Sequence, residues 1–403
     1  MYTKCITLEG EDTMKKRWTV LGVLAIAMSV ALTGCGGGEK AKPAAQTNEI
    51  KIGGNVEMTG GVANYGNQAL SGMKLAFKQV NESGGVLGKK INLILADNKS
   101  EPAEAANATT KLITQDKVSI VMGPIVSSNV LATVKIAEDN KVVVMTPTGT
   151  NEKITVDNGK VRPFAFRACF IDPFQGRVMA NYATKSLKAK TAVIYIDSSS
   201  DYSKGVAAAF EETFVKNGGK VAGKEAFLQK DQDFKATLTK IKAMNADIVF
   251  IPAYYEEVGK IVKQARELGI NQPLLGTDGW DNPKVVEIAG AAALNNTFFS
   301  NHYSSQDSDP NVKKFIDAYK AEYKEEPSSM AALGYDAAMI VIDAIKRANT
   351  TDAAKVKEAM EQTKNLQVST GIVTMDSNHN PIKSAVVIEM KDGKQTFKEK
   401  INP

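Results

Sequence analysis

Ile50-Lys51-Ile52-Gly53-Gly54, the turn Met58-Thr59-Gly60-Gly61-Val62-Ala63-Asn64-Tyr65-Gly66 and the segment Asn67 to Asn81 together decide the fold class. The first is a short, largely apolar run and reads as a strand. In the last, Leu70, Met73, Ala76, Phe77 and Val80 recur at helical spacing, and Ser83-Gly84-Gly85 stops the helix. Strand, glycine-rich turn and helix open a βαβ unit, and the unit recurs. Ile91 to Leu95 is the next strand, Ala103 to Thr114 the next helix, then Val118 to Met122, a helix from about Ser128, and Val142 to Met145. Such alternation predicts a parallel sheet with helices on its faces.

After a break near Arg162 to Pro173 the pattern restarts. Strands are expected at Ala192 to Ile196, Val221 to Phe227, Ile248 to Ile251 and Leu274-Leu275, with helices at Ser203 to Asn217, Asp233 to Met244 and Glu256 to Leu268. Three helices follow, at Asn311 to Tyr323, Ala331 to Ala348 and Ala353 to Thr363, and then strand-like tails at Gly371 to Met375 and Ala385 to Met390. The expected fold class is α/β, with two Rossmann-like lobes whose parallel-type sheets are flanked by helices.

Composition narrows the function. The chain has 403 residues, 43% hydrophobic and 24% charged, which fits globular domains and excludes collagen-like or wholly disordered chains. Its net charge of +5 comes from 50 basic and 45 acidic residues that are interspersed, so nucleic acid is not an expected partner. The two His (His302, His379) and three Cys (Cys5, Cys35, Cys169) lie far apart, with no zinc-type spacing, so no metal or cofactor is expected. No Gly-x-Ser-x-Gly turn is present and neither His falls in a strand-end motif, which argues against an exported hydrolase. Both His are expected to be structural or surface residues, and the protein is expected not to be an enzyme.

The N-terminal segment carries an address. Met14-Lys15-Lys16-Arg17, the apolar run Trp18 to Leu32, and Thr33-Gly34-Cys35 form a basic region, an apolar core and a small-residue cleavage zone, as in a secretory signal. Met14 is the expected start, because Glu9, Glu11 and Asp12 carry the wrong charge for such a segment. Leu32-Thr33-Gly34-Cys35 resembles a bacterial lipobox. Cys35 would then carry the lipid, and Gly36 to Asn48 would form a flexible tether.

In open α/β sheets, ligands sit beyond the carboxyl ends of the strands. In the first lobe those ends carry the turn at Thr59-Gly60, Gly123-Pro124 running into Ser127-Ser128-Asn129, and Thr146-Pro147-Thr148-Gly149-Thr150-Asn151. Hydroxyls and amides at a helix start suit a carboxylate or phosphate. Taken singly, each turn is more readily a cap or an ordinary turn; three at one edge indicate a site. The second lobe offers acidic and aromatic groups at Asp197 to Tyr202, Ala253-Tyr254-Tyr255-Glu256 and Gly276-Thr277-Asp278-Gly279-Trp280-Asp281. A zwitterion gripped between the lobes would match, with Asp278 facing an ammonium.

These residues carry a resemblance. Thr59-Gly60 with Tyr65-Gly66, Asn81 with Gly84-Gly85, Gly123-Pro124 with Ser127-Ser128, Thr146-Pro147 with Thr150, Phe166-Arg167 with Gln175-Gly176, Tyr202 with Gly205, Gly276-Thr277-Asp278-Gly279 and Gly334-Tyr335-Asp336-Ala337 form an ordered set. From about Glu49 to its end, the chain resembles the type I periplasmic binding proteins of branched-chain amino acid ABC transporters, in lipoprotein form. The resemblance implies two lobes joined by a multi-strand hinge, residues 49–170 and 302–372 forming one and residues 171–301 and 373–403 the other, behind a signal region of residues 1–34 and a tether of residues 35–48. It implies that Ser127 and Thr150 hold the ligand carboxylate and ammonium with their side chains, that Thr148 contributes backbone groups, and that Tyr254 and Asp278 close from the second lobe. Tyr65 and Tyr202 would wall the pocket, with Trp280 and Met330 as further candidates. Where relatives often carry Glu, this chain has the shorter Asp278; Met330 replaces a large aromatic of the leucine-binding relatives, and Val126 stands at one position of a disulfide found in some. The implied partners are an amino acid, ABC permease subunits and, through Cys35, a membrane, with the protein monomeric and exported. A sensor, or a binder of amides, urea or aromatic acids, is the alternative on the same fold.

Overall fold

A computed structural model describes residues 49–402; the signal segment, Cys35 and the tether lie outside the described residues. The first sheet is built from β1 (Glu49–Val56), β2 (Lys90–Asp97), β3 (Ile120–Met122) and β4 (Val143–Thr146), a small hairpin β5 (Val156–Asp157) and β6 (Lys160–Val161) intervening before β7 (Ala165–Arg167). Its order is β2-β1-β3-β4-β7, and every pairing is parallel. Helices α1 (Ala63–Glu82), α2 (Pro102–Thr114) and α3 (Ser127–Asp139) are its crossovers. Three-residue strands such as Ile120-Val121-Met122 hold in the sheet centre because both faces are covered and every side chain is buried.

After α4 (Asp172–Asn181) the scheme repeats. It runs through β8 (Thr191–Asp197), α5 (Asp201–Lys216), β9 (Lys220–Phe227), α6 (Lys235–Ala243), β10 (Ile248–Phe250), α7 (Tyr255–Glu267), β11 (Leu274–Gly276), α8 (Pro283–Ala289) and β12 (Thr297–Asn301). The chain then returns to the first sheet with α9 (Pro310–Tyr323), α10 (Ser329–Ala348) and α11 (Ala353–Glu361), α10 packing along α1 and both α10 and α11 reaching β4. A hairpin of β13 (Leu366–Val368) and β14 (Gly371–Val373) precedes β15 (Ala385–Lys391) and β16 (Lys394–Ile401). The second sheet has the order β16-β15-β12-β11-β10-β8-β9. β9 to β12 are parallel, whereas β15 and β16 add antiparallel strands at one edge, a departure from the parallel-type expectation. A tail that follows the last crossover can turn back by a two-residue hairpin only in antiparallel fashion.

Both sheets share one order. β2-β1-β3-β4-β7 and β9-β8-β10-β11-β12 each place the first strand between the second and third, so each has a switch point beside its first strand. The chain passes between the sheets three times, after β7, after β12 and between β14 and β15. Among the described residues no helix is long and apolar enough to cross a membrane.

Candidate ligand site between the two sheets

The loops beyond both switch points meet around one small cavity. It is lined by Tyr65, Ser127, Thr148, Thr150, Tyr202, Tyr254, Asp278 and Met330, eight of the nine ligand residues expected from sequence, together with Ile125, Val126 and Gly279. Trp280 is the exception. The short 3-10 turn Asp278–Trp280 swings its indole away from the cavity, over Gly276 of β11, where Nε1 donates to the Ile251 carbonyl at 2.9 Å. Trp280 therefore packs the second lobe and lines a separate crevice.

One end of the cavity is built for an anion. Ser127 opens α3, whose 13 residues direct the positive end of a helix dipole at this point. Its Oγ accepts the Asn151 amide at 3.1 Å, which leaves the hydroxyl proton free to donate inward. Thr148 donates its hydroxyl proton to the Ile125 carbonyl at 2.7 Å, so its side chain can accept from a ligand but not donate to one, and any donor it offers there is its backbone N–H. Two buried ionisable residues fix these loops. Glu57, directly after β1, accepts from the amides of Ile125 (3.0 Å) and Val126 (3.3 Å) and from Asn129 Nδ2 (2.8 Å). Burial pushes its carboxyl above the ordinary value, and those donors oppose the rise. Arg167, at the end of β7, donates to the carbonyls of Gly149 and Asn151, both at 2.7 Å, and so anchors that loop from behind.

The opposite end is acidic and aromatic. Asp278 is buried; its Oδ1 accepts the Tyr202 hydroxyl at 2.7 Å and its Oδ2 is 2.9 Å from His302 Nε2. Burial lowers the imidazole below its ordinary value and the Asp278 hydrogen bond opposes this; facing a carboxylate, which can only accept, Nε2 is the donor of the pair. Tyr202 and Tyr254 stack at 5.1 Å, and Tyr65 meets Tyr254 edge-on at 5.7 Å. The Tyr65 hydroxyl donates to the Gly279 carbonyl and accepts the Tyr255 amide at 2.9 Å, joining α1 of the first sheet to the second. Ser128 with Asp201, Asn151 with the Asp201 carbonyl and the exposed Lys230–Glu101 pair add further links across the cleft, so the two sheets are in a closed arrangement.

Arg167, Glu57 and His302 are not among the site residues that the sequence indicates. His302 follows β12 directly and so does lie at a strand's carboxyl end, contrary to expectation; the run Thr297-Phe298-Phe299 was the available signal for that strand. His379 is buried as well, stacked on Phe166 at 4.1 Å and away from the cavity.

Asp172, at the start of α4, lies behind Thr150 with its Oδ2 unpartnered, and burial pushes its carboxyl up to about 8. The unfolded carboxyl ionises near 3.8, so between about 4 and 8 the folded state holds an extra proton. Stability is then greatest at the acid end of that window and falls as pH rises toward 8. Asp172→Asn should flatten this slope: its melting temperature should exceed that of the wild type by a margin that widens from pH 5 to pH 8.5. Parallel melting curves for the two proteins would disprove the assignment.

Two α/β bodies closed on one small cavity, with helix-start donors at one end and a buried carboxylate at the other, define a bilobal solute-binding protein. A family model described as periplasmic binding protein matches residues 49–395, and the chain belongs to that family. A leucine-, isoleucine-, valine-, threonine- and alanine-binding protein of Pseudomonas aeruginosa is 31% identical over 348 residues, 86% of this chain and 89% of that protein. The structure of a leucine-binding protein, LivK, from Thermotoga maritima is similar at 40% identity and a TM-score of 0.83, covering 88% of this chain and 99% of that one. LivJ from Streptococcus pneumoniae, a branched-chain amino acid transporter substrate-binding protein in complex with isoleucine, matches at 39% identity and 0.83, covering 88% and 100%.

Proposed function

We propose that this protein captures a branched-chain or related amino acid between its two lobes and delivers it to an ABC transporter permease. The carrying observation is the polarity of the cavity, with Ser127 and the α3 start at one end and Asp278 at the other. A zwitterion satisfies both ends at once, whereas an aromatic acid would leave the buried Asp278 without a counter-charge. Ile125, Val126 and Met330 supply an apolar wall for an aliphatic side chain.

Residues 49–170 with 302–372, and residues 171–301 with 373–403, are proposed to move as the two lobes, about the three segments that cross between the sheets. Ligand favours the closed form because it touches both lobes only there. Export behind the N-terminal signal and lipidation at Cys35 would hold the protein, as a monomer, near the permease at the membrane surface. Mass spectrometry of small molecules released by denaturing natively purified protein should find a branched-chain or similar aliphatic amino acid in stoichiometric amount. An aromatic acid or an amide without an ammonium group in its place would overturn the reading.

A further inference from the structure

The carboxylate at the acidic end of the cavity is held from behind. Tyr202, in the first turn of α5, takes its Oδ1, and His302, in the segment leaving β12 for α9, takes its Oδ2. The His302 ring is fully buried and stacks on Phe170 with centroids 3.7 Å apart. Phe170 belongs to the first crossing between the sheets and His302 to the second. The imidazole is thus clamped between two of the three crossing segments.

Packing alone does not explain a histidine here. Nδ1 is buried with no partner, a loss that Phe or Leu in the same space would avoid. The one bond the ring makes goes to Asp278. A carboxylate turns easily about its terminal torsion, and a donor on each oxygen fixes its plane and leaves the remaining lone pairs facing the cavity.

We propose that His302 is a positioning residue for ammonium recognition, holding Asp278 in the orientation the ligand meets and tying that orientation to the crossing segments through Phe170. An acceptor fixed before the ligand arrives loses less freedom on binding. This inference rests on the amino-acid reading above.

The test compares wild type, His302→Leu, His302→Gln and Asp278→Asn against leucine and against 4-methylpentanoate, which is leucine without its amino group, by calorimetry and NMR titration. His302→Leu should weaken leucine at least tenfold and leave the weak affinity for 4-methylpentanoate unchanged. His302→Gln, whose amide can replace the Nε2 donor, should stay within threefold of wild type for leucine, and remains informative if the Leu variant fails to fold. The proposal is overturned if His302→Leu and His302→Gln both bind leucine as wild type does while Asp278→Asn has lost it; the amino-acid reading then survives. Equal losses for both ligands would make the role purely structural and also overturn it. Wild-type protein that does not discriminate between the two ligands would overturn the amino-acid reading itself.

Discussion

Asp278→Asn should lower affinity for leucine by at least ~100-fold while leaving the ligand-free protein folded. Asn preserves the shape of the side chain and its carbonyl can still accept from Tyr202, while its amide meets His302 Nε2, which must switch tautomer to accept; the loss therefore reports chiefly the charge. In the closed cavity the ligand ammonium would be desolvated, and removing one partner of a buried ion pair costs about 3–5 kcal/mol. At about 1.4 kcal/mol per factor of ten, that is on the order of 10² to several times 10³ in Kd. Calorimetric titration measures it, with circular dichroism as the control for folding. Affinity within threefold of wild type would remove the ammonium from this end of the cavity. The same variant separates amino acids from aromatic acids, since a ligand without an ammonium has no reason to be sensitive to it.

Gly72→Ala should destabilise the protein by about 3 kcal/mol and lower leucine affinity as well, although Gly72 does not touch the cavity. α1 and α10 cross so closely that a Cβ at Gly72 would stand 1.9 Å from the Ala331 carbonyl oxygen, and one at Gly334 would stand 2.1 Å from that of Ala69. Both obstacles are backbone atoms, so no rotamer change relieves them and the helices must separate. At this chain length the expected fall in melting temperature is roughly 4 °C. The affinity effect follows because the first turn of α10 carries Met330, and the Ser329 amide there bonds Asp281 at 2.7 Å across the cleft. Gly61→Ala is the control: a Cβ there meets nothing within 4 Å, and its melting temperature should not move. Equal melting temperatures for Gly72→Ala and Gly61→Ala would show that the helix crossing tolerates separation.

The residues legible in the sequence share a property. Ser127, Thr148, Thr150, Tyr202, Tyr254 and Asp278 each follow a strand that apolar runs disclose, so placing the strands placed these residues at one edge. Those that escaped are second in line. Arg167 and Glu57 act on the loops rather than on the cavity, and nothing in a lone Arg or Glu marks it as buried. His302 is hidden because its strand, Thr297-Phe298-Phe299-Ser300-Asn301, is short and mixes polar with aromatic residues, so no extended apolar run discloses it. Trp280 shows the opposite error: two residues from Asp278, it belongs to the same turn, yet a tight turn of three residues points its first and last side chains in different directions.

Periodicity and strand-end chemistry by themselves determined that this is an α/β chain of two successive units, with neutral donors gathered in the first and acidic and aromatic groups in the second. Those properties depend on neighbours a few residues apart, and local spacing records them. Only the tertiary structure decided that the two sets face one cavity, that Met330 closes it from a distant helix, that the indole of Trp280 turns away, and that His302 stands behind Asp278. The Tyr65–Gly279 bond joins residues 214 positions apart, and the Ser329–Asp281 bond joins residues 48 apart. Such contacts arise when two separately formed sheets close on each other, and no local pattern in the chain encodes the angle at which they meet.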